Sequence, residues 1–159
     1  MKYDDMQSLS LYKFSKDDKE ALNFIKKLIS DESIKNWFSG ITVGLLNNPN
    51  NEFFDHSFLV KSNDIYVGYI KIGSYNENEK CVYLTAAIDK DLRGHSYGKT
   101  LLAETTEYIF QNHPQVESIR LKIDSNNKAS LMTANSCGYI WLKDDYYMKE
   151  NPYLKKVKM

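Results

Sequence analysis

Asp91-Leu92-Arg93-Gly94-His95-Ser96-Tyr97-Gly98-Lys99-Thr100-Leu101-Leu102 joins an apolar, strand-like run (Cys81–Ile88) to an amphipathic helix expected over residues 98–110. A loop built on Gly94, Ser96 and Gly98 can turn several backbone N–H groups onto one point. The start of the helix adds its own partial positive charge there. Arg93 and Lys99 flank the loop and supply full charges. The chemistry that suits this arrangement is the binding of a pyrophosphate. Taken alone, the stretch also reads as an ordinary strand–helix turn.

A second stretch removes that ambiguity. Residues 127–139, Asn-Lys-Ala-Ser-Leu-Met-Thr-Ala-Asn-Ser-Cys-Gly-Tyr, read as a short helix leading into a strand. Asn126 or Asn127 can cap its start, and Gly138 can end it in a left-handed conformation. The order is therefore strand, loop, helix, strand (118–123), capped helix, strand (139–142).

Upstream, residues 9–14 form a candidate strand with Leu9 and Leu11 on one face. Ser15 is placed to cap a helix buried through Ala21, Leu22, Ile25, Leu28 and Ile29. A second helix is expected from Ser33, with Ile34, Trp37, Phe38 and Ile41 as its stripe, followed by the loop Asn47-Asn48-Pro49-Asn50-Asn51. A hairpin follows, with Phe58-Leu59-Val60, a turn at Ser62-Asn63-Asp64 and a strand over Ile65–Ile72. Gly68 inside that strand marks a bulge or a close backbone approach. A last strand is expected over 146–149, after a turn at Lys143-Asp144-Asp145.

The composition narrows the class. At 159 residues the chain reads as one domain, 1–159, large enough for a real core. Its 21 basic residues balance 21 acidic ones, which excludes the electrostatic footprint of a nucleic-acid or anionic-membrane binder. No apolar run approaches the about 20 residues of a membrane span, and no signal-peptide pattern opens the sequence. Cys81 and Cys137 lack metal-ligand spacing, and His56, His95 and His113 are scattered, so no metal site is expected. Two free thiols fit a cytoplasmic location. Twelve Tyr and seven Phe suit an amphipathic cleft wall as well as a core.

Region 81–143 resembles the GNAT N-acetyltransferase superfamily. The phosphate-loop motif of that family is Arg/Gln-x-x-Gly-x-Gly/Ala, here Arg93-Gly94-His95-Ser96-Tyr97-Gly98, with Ser96 where the first motif Gly is usual. Its later motif, Asn-x-x-Ala/Ser followed by Gly-Phe/Tyr, is matched in register by Asn127, Ser130, Gly138 and Tyr139. The resemblance implies an α/β (α+β) fold with a mixed, mostly antiparallel sheet of six to seven strands. Its central strands would splay apart near Ile88 and Ile123, with about four flanking helices. The two early helices would wall the acceptor cleft, although Trp37 and Phe38 read better as core than as substrate contacts.

It also implies acetyl-CoA as cofactor. Ala86, Ala87 and Ile88 would lie along the pantetheine arm, and the backbone of His95, Ser96, Tyr97, Gly98 and Lys99 would take the pyrophosphate. Arg93 and Gly94 complete the loop, Asn127 would touch the arm from the other side, and Tyr97 would pack beneath the loop. The function implied is acetyl transfer to a primary amine, a protein N-terminus or a small molecule, by direct attack in a ternary complex. Dimers are frequent in the family, so a homodimer belongs to the expectation.

The acid–base residues are less clearly marked. Many members carry Tyr seven residues after the motif Asn, where this chain has Ala134. The branch resembling ribosomal-protein N-acetyltransferases often has Ser three residues after it, here Ser130, a candidate general acid or simply a local backbone hydrogen-bonder. Tyr139 and Cys137 stand in reserve. No carboxylate occupies residues 81–85, and Glu150, Asp55 and His56 are the titratable groups outside the motifs. Lacking an obvious base, the chain leans toward an acceptor whose amine deprotonates easily, since an α-amine has a pKa near about 7.7 against about 10.4 for lysine. A catalytically silent CoA-binding or interaction module on the same fold is the alternative, supported by Ser96, Ala134 and the missing strand carboxylate.

Overall fold

The computed structural model describes residues 2–5, 8–14, 17–31 and 53–155. The second early helix and the Asn47–Asn51 loop read from the sequence lie outside them, as does Ser15. Eight strands form one sheet: β1 (Lys2–Asp5), β2 (Ser10–Tyr12), β3 (His56–Ser62), β4 (Ile65–Ile72), β5 (Cys81–Ile88), β6 (Ser118–Lys122), β7 (Ile140–Lys143) and β8 (Tyr146–Glu150). Their order is β1-β2-β3-β4-β5-β6-β8-β7. Every neighbouring pair is antiparallel except β5 and β6. The sheet is thus the mixed one expected, with one strand more at its β1 edge. The four described helices are α1 (Lys19–Ile29), α2 (Tyr97–Asn112), α3 (Lys128–Ser136) and the short α4 (Pro152–Lys155). None is long and apolar enough to cross a membrane.

The period-2 pattern of the strands sorts their side chains into two layers. Leu9, Leu11, Phe58, Val60, Ile70, Ile72, Val82, Leu84, Ile119 and Leu121 meet Leu101, Ile109, Phe110 and Ala134 of α2 and α3 in the larger core. On the other face Leu59, Tyr69 and Ala87 meet Ala21, Phe24, Ile25 and Leu28 of α1. The cap of α1 is Asp18, which accepts the Ala21 N–H at 3.0 Å, so the helix begins later than a Ser15 cap would place it. Asn127, not Asn126, caps α3, and Gly138 ends it at φ +89°.

Gly68 is where β4 leaves no room for a side chain against β5. It pairs with Ile88 in register, and the β3–β4 ladder slips between Val60 and Lys61 opposite it. A Cβ placed there would stand 2.5 Å from the Ala87 carbonyl oxygen and 2.9 Å from Ile88 Cδ1. Backbone cannot yield to that extent without disturbing β5. Gly68→Ala is expected to cost about 1–3 kcal/mol, read as a lowered denaturation midpoint in urea.

His56 is buried on the larger-core face, edge-on to Phe58 with ring centroids 4.8 Å apart. Burial pushes its imidazole below the ordinary value, Lys13 adds to that, and Asp55 opposes it. The unfolded chain therefore takes up the proton first, and stability falls as pH drops below about 6.5 until the folded imidazole titrates. A melting-temperature profile should fall across this window, less steeply in His56→Phe.

Candidate functional site

The central event is the parting of β5 from β6. Their parallel ladder runs from Cys81↔Ser118 to Leu84↔Leu121 and stops. Beyond it β5 stays with β4 through Ile88, while β6 stays with β8 as far as Lys122↔Tyr146. Gly73 N–H donates to the Tyr83 carbonyl at 2.8 Å, and Asp89 N–H to the Val67 carbonyl at 3.0 Å. Those two bonds fix the alternation of β5. The main-chain groups of Tyr83, Thr85 and Ala87 turn to β4, and those of Ala86 and Ile88 turn into the split.

Three of the expected arm contacts therefore separate. Ala86 is exposed, with its backbone open to the split. Ile88 also faces it, but its carbonyl accepts Arg93 Nε at 3.3 Å. Ala87 is a correction: its backbone serves β4 and its side chain is buried against α1. The reason is the strict alternation of a strand, which cannot turn three consecutive residues to one edge.

At the end of β5 the chain turns through a single 3₁₀ turn, Lys90–Leu92. The buried Asp89 carboxylate caps it by accepting the Asp91 N–H at 3.2 Å, and it is neutralised by Lys27 Nζ of α1 at 2.8 Å. Lys27 also reaches Asp91 at 3.1 Å, and the two carboxylates hold its ammonium above the usual value. Gly94 then takes φ +87° and Ser96 φ +66°. Ser96 thus adopts the left-handed conformation in which glycine is usual, and its side chain makes no capping bond.

Thr100 donates the first bond of α2, to the Ser96 carbonyl at 3.0 Å. The N–H groups of Tyr97, Gly98 and Lys99 precede it and have no carbonyl one turn earlier to meet. Gly94, His95, Ser96 and Lys99 are exposed, and Tyr97 packs against the larger core beneath the loop.

Arg93 does not stand free over the loop. Its Nη2 lies 2.6 Å from Asp31 Oδ2 just past α1, so it straps loop to helix. Asn127 is likewise committed in part: its carboxamide oxygen accepts the Ser130 N–H at 3.1 Å. Ser130 is half-buried in the first turn of α3, and its hydroxyl has no partner among the described residues.

The reserve candidates fall away. The Tyr139 hydroxyl is buried against Thr106 Oγ1 at 2.6 Å, and burial pushes it far up. Cys137 is buried and directs its thiol to the Lys99 carbonyl at 3.7 Å. Among the possible bases, His56 lies on the larger-core face, Asp55 occupies a turn at φ +56°, and Glu150 sits on β8 opposite Ser118, far from the split. A groove walled by Leu131, Met132, Asn135 and Trp141 is lined by one of the predicted residues, Tyr139, whose hydroxyl is already held by Thr106. Among the described residues no cluster suits a metal ion.

The sequence reading missed Lys27, Asp31, Asp89, Glu79, Tyr83 and Arg120. Arg93 and Asp31 are 62 residues apart, and Arg120 and Glu79 are 41 apart. Only the fold brings such pairs together.

Uncommitted N–H groups at the start of α2 thus lie beside a strand edge that the parting of β5 from β6 leaves open. The acetyltransferase (GNAT) domain family model matches residues 1–140, and the chain belongs to that family, whose enzymes use acetyl-CoA. Among solved structures it is similar to a spermidine N-acetyltransferase from Vibrio cholerae in complex with CoA and spermine. That pair has 16% identity and a TM-score of 0.71, over 91% of this chain and 96% of that one. A putative ribosomal-protein-serine acetyltransferase from Vibrio cholerae gives 18% and 0.70 over 94% and 97%. An aminoglycoside acetyltransferase in complex with coenzyme A gives 11% and 0.74 over 96% and 100%. Comparison with curated protein sequences finds no match.

The donor set fits the cofactor on steric grounds too. A Cβ at Gly94 would meet nothing within 4 Å, and one at Gly98 only Ile88 Cγ1, at 3.7 Å. Gly98→Asp therefore leaves the fold intact while setting charge and bulk among the loop N–H groups. It should abolish the rise in melting temperature that CoA gives the unaltered chain.

Proposed function

We propose that the chain is an acetyl-CoA-dependent N-acetyltransferase that acts on a primary amine, of a protein N-terminus or a small molecule, by direct attack with donor and acceptor bound together. The observation that carries this reading is the opening of β5 at Ala86 and Ile88 beside the N-terminus of α2. The buried free thiols suit a cytoplasmic setting.

The N–H groups of Tyr97, Gly98 and Lys99, with the exposed Lys99 ammonium, hold the pyrophosphate. Ala86 and Ile88 offer backbone donors to the arm, as an adjoining strand would. Acetyl-CoA supplies an activated acetyl thioester. The acceptor nitrogen forms its bond to the acetyl carbon as the carbon–sulfur bond breaks, and the ammonium proton leaves to solvent. Ser130, with its hydroxyl uncommitted, would relay a proton to the departing thiolate, a group whose thiol pKa is about 8.5, and regain one as the acylated nitrogen gives up its second proton. A route through an acyl-cysteine is disfavoured by the burial of Cys137 without a base partner.

Ser130→Ala should lower turnover by about 100-fold or more and leave the thermal shift given by CoA unchanged. Unaltered turnover removes Ser130 from the chemistry. Binding without turnover of any amine, in the unaltered chain, favours the silent module.

A further inference from the structure

A short, mostly exposed piece of chain joins the two halves of the cofactor site. Ile88 ends the edge that opens on the split, and α2 begins at Tyr97. Between them run one 3₁₀ turn and the left-handed Gly94 and Ser96. Of residues 89–97 only Asp89 is buried.

α1 backs this stretch at alternate residues. The Ala87 side chain packs into the cluster of Ala21, Phe24, Ile25 and Leu28. Lys27 Nζ reaches Asp89 Oδ2 at 2.8 Å and Asp91 Oδ2 at 3.1 Å. Asp31 Oδ2 takes Arg93 Nη2 at 2.6 Å. Lys27 and Asp31 are four residues apart and so leave one side of the helix. Ala87, Asp89, Asp91 and Arg93 are thus all held by α1, while the backbone of Ala86 and Ile88 turns to the split.

Asp89 is the joint. Its Oδ1 accepts the Asp91 N–H at 3.2 Å, and its Oδ2 faces Lys27. Its own N–H donates to the Val67 carbonyl at 3.0 Å, and its carbonyl accepts the Leu92 N–H at 2.8 Å. Sheet, turn and helix meet on this one residue. A buried ion pair often adds no net stability over apolar residues of the same size. What it adds here is direction, because one carboxylate has to meet both partners at once.

We infer that Lys27 is a positioning residue for the cofactor: through Asp89 it holds the open edge of β5 and the first turn of α2 in the register that lets a single cofactor molecule engage both. This rests on the transferase reading above. A ligand that spans two sites gains over its separate parts only while both can be engaged together. The arm and the pyrophosphate are such parts. The Lys27 ammonium touches neither in this account, since it is committed to the two carboxylates.

The test compares CoA binding, by calorimetry and amide shifts, in the unaltered chain, Lys27→Met and Lys27→Arg. Pantetheine probes the arm half alone, and ADP the pyrophosphate half. Lys27→Met should weaken CoA by about tenfold or more while pantetheine and ADP bind nearly as before. In its CoA complex the shifts of Tyr97, Gly98 and Lys99 should persist and those of Ala86 and Ile88 shrink, a pattern that can be read even where a fragment binds too weakly to titrate. Lys27→Arg keeps a bond to Asp89 and should restore most of the loss. Asp89→Asn separates geometry from charge, for a carboxamide oxygen can still cap the turn but the ion pair is gone. Positioning predicts weaker CoA binding in this variant too, whereas tighter binding, the effect of removing a negative charge beside an anion site, overturns the assignment. Should Asp89→Asn fail to fold, Lys27→Met decides alone, its side chain being half exposed. Unchanged CoA affinity in Lys27→Met, or a loss that ADP and pantetheine share in full, also overturns it. No response to CoA in the unaltered chain overturns the transferase reading itself, and this inference with it.

Discussion

Everything in this structure that concerns chemistry follows from the shortness of one parallel ladder. β5 and β6 share only the pairs from Cys81↔Ser118 to Leu84↔Leu121. Past that point each strand leans on its outer neighbour, and among the described residues the β5 backbone groups facing the gap, apart from the Ile88 carbonyl that accepts Arg93 Nε, have no protein partner. Unmet backbone N–H and carbonyl groups inside a sheet are costly, so a gap of this kind persists only where solvent or a ligand completes it. The parting also settles which residues can serve the gap, because a strand turns only alternate residues to each edge.

The surroundings hold that edge in place. Gly68 lets β4 approach β5 more closely than any side chain would allow. Asp89 ends β5, caps the following turn and is neutralised by Lys27, which ties the start of the loop to α1. Arg93 makes a second tie to α1 through Asp31 and occupies the Ile88 carbonyl on the way. Two left-handed residues, Gly94 and Ser96, then aim the chain into α2. The conformation of Ser96 is one that L residues adopt at a cost of about 1–2 kcal/mol; the ties on either side over-determine it.

Much of this was legible before the fold was known, and the reasons are local. Strand β5, the loop, α2 and the capped α3 announce themselves through period, glycines and the Asn127 cap, each signal lying within its own short stretch of sequence. The Gly68 approach and the left-handed Gly138 are equally local. Strand β1 carried no such signal. The misassignment of Ala87 arose from counting along a strand without its pairing, since which edge a residue serves depends on the neighbour it bonds. The ties of Lys27 and Arg93, and the cluster of Glu79, Tyr83 and Arg120, join residues far apart in sequence, and no pattern in one chain marks them. The structure therefore adds the long-range ties around the split, whereas the loop proposed to hold the cofactor is marked in the sequence by two short motifs.

The central claim is that the open edge of β5 and the first turn of α2 together hold the cofactor. Its most direct test is an assigned amide spectrum of the chain titrated with CoA. The account predicts that the largest shifts fall on Ala86, Ile88, Tyr97, Gly98 and Lys99, with Thr85 and Ala87 far less affected. Large shifts confined to the groove between α3 and β7, or shifts at Ala87 as large as those at Ala86 and Ile88, would contradict it.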